Sequence, residues 1–200
     1  MKSIRAFFDS RIELDDDLWQ LFVARVTKRS YPANTTLIHV GTTENHLSFV
    51  EEGVVRSYIP NQGNDITFDL AFPNQFVSAY DSFLKRIPAT CKLETLAPTS
   101  LISITFDDLQ QLYHQRKIGN IIGRLASENI FERSTGYFLD KLNCTPEEIY
   151  ARLRREQGAL LDLVPHVFLA SYLGVTVPTL GRIAANYQGS ASKPSVEATS

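Results

Sequence analysis

Arg182 stands one helical turn after Thr179, in a run that also carries Thr176, Val177 and Gly181. A guanidinium presents two parallel N–H donors, the geometry that matches O6 and N7 of guanine in the major groove of a DNA duplex. Thr179 can bond a phosphate or touch a thymine methyl, and backbone amides at a helix start face phosphate. Thr176, Val177, Thr179, Gly181 and Arg182 are therefore the candidate DNA-contacting set. Ala184, Ala185 and Asn186 follow without a further cation, so this surface is lightly armed.

Other chemistries find little support. Cys91 and Cys144 are the only cysteines and form no CxxC pair, while His39, His46, His114 and His166 are scattered without HxH or HxxxH spacing. A metal centre needs such ligands close together, so no metal and no cofactor are expected. An enzyme on a cupin-like barrel would need a histidine set with a carboxylate, and no Gly-rich phosphate loop or Ser/His/Asp grouping can be assembled, so the chain is read as a non-enzyme.

The elements that would position Arg182 begin at Pro165. Residues 167–173 carry apolar side chains at helical spacing, Gly174 suits the positive φ of a tight turn, Val175 fills the turn, and Thr176 caps a second helix bearing Leu180 and Ile183. Upstream, Thr145-Pro146-Glu147-Glu148 is a capping box opening a helix to about residue 157, with Gly158 as its stop. Arg152, Arg154 and Arg155 on that helix read as a solvated face, with phosphate contact as the second reading. A segment at 107–115 precedes a long helical stretch at 118–142 with more apolar positions than one face holds. One face would dock on the rest of the chain and the other on a second copy, with Ile118, Ile121, Ile122, Leu125 and Asn129 as the expected dimer interface. Gly119 and Gly123 either permit close backbone approach within that helix or mark a shorter helix starting after Gly123.

Between Tyr31 and Thr105 the texture is that of short strands, at 35–40, 47–51, 54–59, 66–72, 91–96 and 101–105, separated by Gly41, Gly53 and the 60–64 turn. Leu14, Leu18, Leu21, Phe22 and Val26 imply a packing helix ahead of them. The whole is an α+β chain: a double-stranded, jelly-roll-like β-roll sensor domain at 1–115, a dimerisation helix at 116–142, an all-α helix-turn-helix domain at 143–186 and a disordered tail at 187–200. With 44% hydrophobic residues, 21% charged residues and a net charge of −2, nucleic-acid contact must come from a local patch. No stretch has signal-peptide or membrane-spanning character, so a cytoplasmic location without membrane contact is expected.

These pieces, in this order, resemble the Crp/Fnr family of bacterial regulators. In the first domain the resemblance rests on Tyr31-Pro32, Thr36-Leu37-Ile38, Gly41 and Glu52-Gly53-Val54-Val55-Arg56, similar to the opening strands of a cyclic-nucleotide-binding fold. In the second it rests on Gly174-Val175-Thr176 and Thr179-Leu180-Gly181-Arg182-Ile183. The Ala-Ser-Tyr-Leu-Gly wording at 170–174 and the short tail look most like members from Bacteroidetes-type bacteria. The resemblance implies a homodimeric transcription regulator with double-stranded DNA, RNA polymerase and a small effector as partners.

It also implies a phosphate cassette, a Gly-Glu pair for ribose and an Arg-Ser pair for the cyclic phosphate. An ungapped match from Phe76 puts Ser78-Ala79 and Ala89-Thr90 there instead. A buried phosphodiester without its guanidinium would be an unpaired charge, so cyclic AMP and cyclic GMP are expected not to bind tightly. Phe76, Ser78, Ala79, Tyr80, Ala89, Thr90 and Lys92 are the candidate lining of a pocket for some other effector, with Lys85 and Arg86 a nearby candidate anion clamp. Val177-Pro178 replaces a base-reading Arg-Glu pair of better-known members, leaving Arg182 of that trio. The competing reading is a ligand- or protein-binding module whose helix-turn-helix does not bind DNA.

Overall fold

A computed structural model describes residues 1–115 and 117–191. Helices α1 (Lys2–Asp9) and α2 (Asp16–Val23) lead into eight strands: β1 (Val26–Tyr31), β2 (Thr36–Ile38), β3 (His46–Glu52), β4 (Val55–Ile59), β5 (Ile66–Ala71), β6 (Phe76–Val77), β7 (Lys92–Thr95) and β8 (Thr99–Thr105). The short helix α3 (Tyr80–Lys85) lies between β6 and β7. Two antiparallel four-stranded sheets, ordered β1-β8-β3-β6 and β2-β7-β4-β5, face each other and close the predicted roll. Alternation supplies the filling: Val50, Val55, Val77, Leu93 and Leu101 point between the sheets and are buried.

Several elements lie outside the expected set, among them α1, β1, β6 and α3. Ile4, Phe7 and Phe8 have helical spacing and form α1, whose rings join Phe49 and Phe76 on the outer side of the first sheet at centroid distances of 5.1–5.6 Å. Val26 opens strand β1 instead of extending the preceding helix, which stops at Val23. The β1 sequence VTKRSY carries little apolar signal because it is an edge strand paired on one side only, to β8.

Helix α4 (Phe106–Gln115) is followed by α5 (Lys117–Asn143), which runs through both glycines, so the shorter-helix alternative is discarded. A Cβ on Gly119 would lie 2.4 Å from the Leu112 backbone, and one on Gly123 would strike the Tyr113 ring. The glycines thus let α4 cross α5 at backbone contact. Helix α6 (Pro146–Gln157) starts with the expected capping box: Thr145 Oγ1 accepts from the Glu148 amide and Glu148 accepts from the Thr145 amide at 2.7 Å. Gly158 ends it at φ 53°, and a 3-10 turn (Gly158–Leu163) leads to α7 (His166–Leu173) and α8 (Val177–Ala191). Tyr187 belongs to α8, so the chain stays helical where the tail was expected to begin, and residues 192–200 of that tail lie outside the described residues.

The C-terminal helices do not stand apart from the roll. Val54, Leu70, Phe72 and Leu96 of the roll share one buried cluster with Leu169, Leu173, Leu180 and Ile183. No single helix among the described residues is long and apolar enough to cross a membrane.

Candidate nucleic-acid interface and sensor cavity

Helix α7 ends where Gly174 takes φ 72°, a left-handed conformation that costs glycine nothing. Its amide bonds back to Ser171 O, and the Val175 amide to Ala170 O, closing the turn. α7 and the described part of α8 then meet at 91°, within the range of a helix-turn-helix. Ala170, Leu173, Leu180 and Ile183 are buried in the wedge, as their spacing predicted. Thr176 Oγ1 accepts from the Thr179 amide at 3.3 Å, capping α8.

The five candidate contacts fall on the outer side of this unit. Thr176, Val177, Gly181 and Arg182 are exposed, Thr179 is half-buried, and nothing lies within 4 Å of a Cβ built on Gly181. Arg182 donates from Nη2 to Thr179 Oγ1 at 3.2 Å, which braces the guanidinium along the helix while its other donors stay free of protein partners among the described residues. No lysine or arginine follows Arg182 within α8. The expected solvated arginines on α6 are partly engaged: Arg152 pairs with Asp140, and Arg154 with Asp162 and the Tyr150 hydroxyl, while Arg155 is exposed.

In the roll, the seven candidate pocket residues do not converge. Phe76 is buried in the aromatic cluster outside the first sheet, because successive strand residues face opposite ways and Val77 takes the inward position. Ser78 donates to His46 O, and the Tyr80 hydroxyl bonds Ser127 of α5 at 2.6 Å. Ala79 and Ala89 are packed in the apolar interior, Thr90 is exposed, and Lys92 lies over the Tyr58 ring at 6.0 Å. None of the seven lines the cavity inside the roll, whose volume is about 120 Å³ and whose polar lining includes Arg29, Glu44, His46, Ser48 and Ser103. Ligand pockets usually hold about 300–1,000 Å³.

That interior already contains an anion. Glu44 is 6% exposed, and its carboxylate accepts the amides of Asn45 and His46 at 2.9 Å and also that of Ala79, at the start of α3. Burial pushes the Glu44 carboxyl up, against the pull of these amides and Arg86. Arg86 does not form an anion clamp with Lys85: it donates to Glu44 O and Asn45 Oδ1, and stacks over Phe106 at 4.2 Å, while Lys85 is exposed.

The expected dimer residues are largely spent within the chain. Ile122 and Leu125 are buried in its own core and Ile121 packs against it. Asn129 accepts the Phe76 amide at 2.9 Å and a donor from Arg133 at 3.0 Å, and the Ile118 side chain lies outside the described residues. The uncovered apolar residues lie further along α5: Phe131, Phe138 and Leu142 are 68%, 61% and 65% exposed, beside Leu139. Their spacing of seven and then four, with Thr135 between the rings, follows a heptad seam. That spacing is present in the sequence, where the other apolar residues of the helix mask it.

Among the described residues no group of three metal-ligating side chains comes together. Residues 28–116 match the model of the cyclic nucleotide-binding domain family. No characterised protein matches the chain by sequence. Among solved structures, FixK2 from Bradyrhizobium japonicum superposes at a TM-score of 0.68 with 17% identity, over 86% of this chain and 89% of that one. The catabolite activator protein of Thermus thermophilus gives 0.52 with 20% identity over 89% and 85%. A Eubacterium rectale protein described as a transcriptional regulator of the Crp/Fnr family gives 0.63 with 15% identity over 88% and 85%. Residues 28–116 are thus similar to the cyclic nucleotide-binding domain family, and the chain has the fold of these solved structures.

Proposed function

We propose that this chain is a cytoplasmic, DNA-binding transcription regulator acting as a homodimer, with α8 entering the major groove. The observation that carries this reading is the outward presentation of Thr176, Val177, Gly181 and Arg182 on a tightly closed helix-turn-helix, with Arg182 braced by Thr179. Dimerisation is assigned to the exposed Phe131, Phe138 and Leu142 seam, and contact with RNA polymerase follows from the regulator role. The sensor is proposed to bind no cyclic nucleotide tightly and to do no catalysis. The small cavity, which already holds the Glu44 carboxylate, and the apolar Ala89 at the place of the cassette arginine support this. Millimolar cyclic AMP should accordingly leave the melting temperature unchanged, whereas a rise of several degrees would reject the sensor assignment.

Selection from a random-sequence DNA pool at low salt tests the main reading. Enrichment of a pseudo-palindromic site supports it. Failure to enrich any sequence favours a protein- or ligand-binding module, the reading that the absence of cations beyond Arg182 in α8 would then explain.

A further inference from the structure

Arg56 is 2% exposed, although it sits on β4 of the sensor and carries a full charge. Its guanidinium lies between two rings, with Cζ 3.9 Å from the Tyr58 centroid and 3.8 Å from that of Phe168. Tyr58 belongs to the sensor sheet and Phe168 to α7, the helix-turn-helix helix that carries α8. In its own plane the guanidinium donates from Nε to Thr67 Oγ1 at 2.8 Å and faces Asp65 at 3.9 Å. Beside it, Ser171 of α7 donates to Asp65 O at 2.7 Å and accepts the Thr67 amide at 3.0 Å. The side chain of one α7 residue thus completes the hydrogen bonding of the β5 edge. Beyond these contacts the two domains part around a groove of about 590 Å³, reaching Gly63–Ile66 on one wall and Gly174–Val177 on the other. On this flank the join is therefore made by Arg56, Phe168 and Ser171.

We propose that Arg56 is a positioning residue for the recognition helix: stacked between Tyr58 and Phe168, it latches the helix-turn-helix to the β4–β5 hairpin and passes any displacement of that hairpin to α8. Arginine suits this place because its flat, weakly hydrated cation stacks on both faces while bonding at its edge, which a lysine cannot do. The apolar cluster around Leu70 and Leu173 holds the two domains together, and the stack with its hydrogen bonds sets where α7 sits on the β5 edge, hence the pose of α8. The functional half of this inference rests on the DNA-binding reading above, whereas the latch itself does not.

The test is amide hydrogen exchange on the full chain, comparing the parent with Arg56→Met, Arg56→Lys and Phe168→Leu. The latch predicts roughly tenfold or greater acceleration in α7 and at residues 65–67 in Arg56→Met and Phe168→Leu, with partial recovery in Arg56→Lys and unchanged exchange where β3 pairs β8. Phe168→Leu attacks the stack from the other domain, so the question stays open to test if Arg56→Met does not fold. Unchanged α7 exchange in every folded variant would overturn the proposal, as would acceleration spread evenly through both sheets. On selected DNA, Arg56→Met should weaken affinity without altering base preference, whereas Arg182→Ala should alter preference and leave α7 exchange alone. If no form binds DNA but the exchange difference persists, the latch stands and the DNA-binding reading falls.

Discussion

At the scale of single residues, two side chains carry distinct consequences. Arg182 reaches outward from α8, and replacing it by alanine should cost about 1–3 kcal/mol of binding to a selected site and relax base preference at one position in each half-site. Fluorescence anisotropy against single-base variants of that site measures this, and an unchanged profile would strike Arg182 from the contact set. Glu44 gives a pH prediction. Burial raises its carboxyl above the ordinary value of 4.5, so the folded chain holds that proton more tightly than the unfolded chain does. Its effect on stability is therefore least unfavourable below 4.5 and grows more unfavourable as pH rises from there through the folded value. Urea unfolding of parent and Glu44→Gln from pH 4 to 7 should show the parent losing ground relative to the variant as pH rises. A difference that moves the other way would mean that the three amides and Arg86 outweigh burial.

At the scale of elements, what could be read from sequence followed how local the physics was. The capping box at Thr145–Glu148 and the glycine turn at Gly174 are set by a few consecutive residues, and both occur at the expected positions. Strand β1 was hidden because Thr27, Lys28 and Arg29 lie on an edge strand, where partners on one side only suffice. The seven pocket candidates do not converge because a cassette match takes near-consecutive residues, which the fold spreads over β6, the start of α3, β7 and the turns between, with Phe76 on the outer face of its sheet. Periodicity alone does not say which stripe of α5 the roll covers, so the expected dimer set and the uncovered apolar residues of that helix do not coincide. The roll and its N-terminal helices cover Ile122 and Leu125, leaving Phe131, Phe138 and Leu142. Phe138→Glu should then convert dimer to monomer in sedimentation equilibrium while far-UV circular dichroism is unchanged. A dimer that survives this change, and survives Phe131→Glu as well, would move the interface elsewhere.

At the scale of the whole molecule, the roll, α5 and the helix-turn-helix form one continuous packing unit, tied by the shared cluster around Leu70 and Leu173 and by the Arg133–Asp69 ion pair at 2.8 Å between α5 and β5. Two such units joined along α5 would present two α8 helices to one face of a duplex, and a dimer of this kind reads half-sites about 34–36 Å apart. Arg182 is the one cation of α8, so the phosphate contacts from that helix are few and binding should weaken with salt on a shallower slope than for a strongly basic recognition helix. Hydroxyl-radical footprinting of the chain on its selected duplex tests the central claim most directly. The account predicts two protected segments on one face of the DNA, one helical turn apart and both weakened by Arg182→Ala. A single unpaired footprint, or protection indifferent to Arg182, would contradict it.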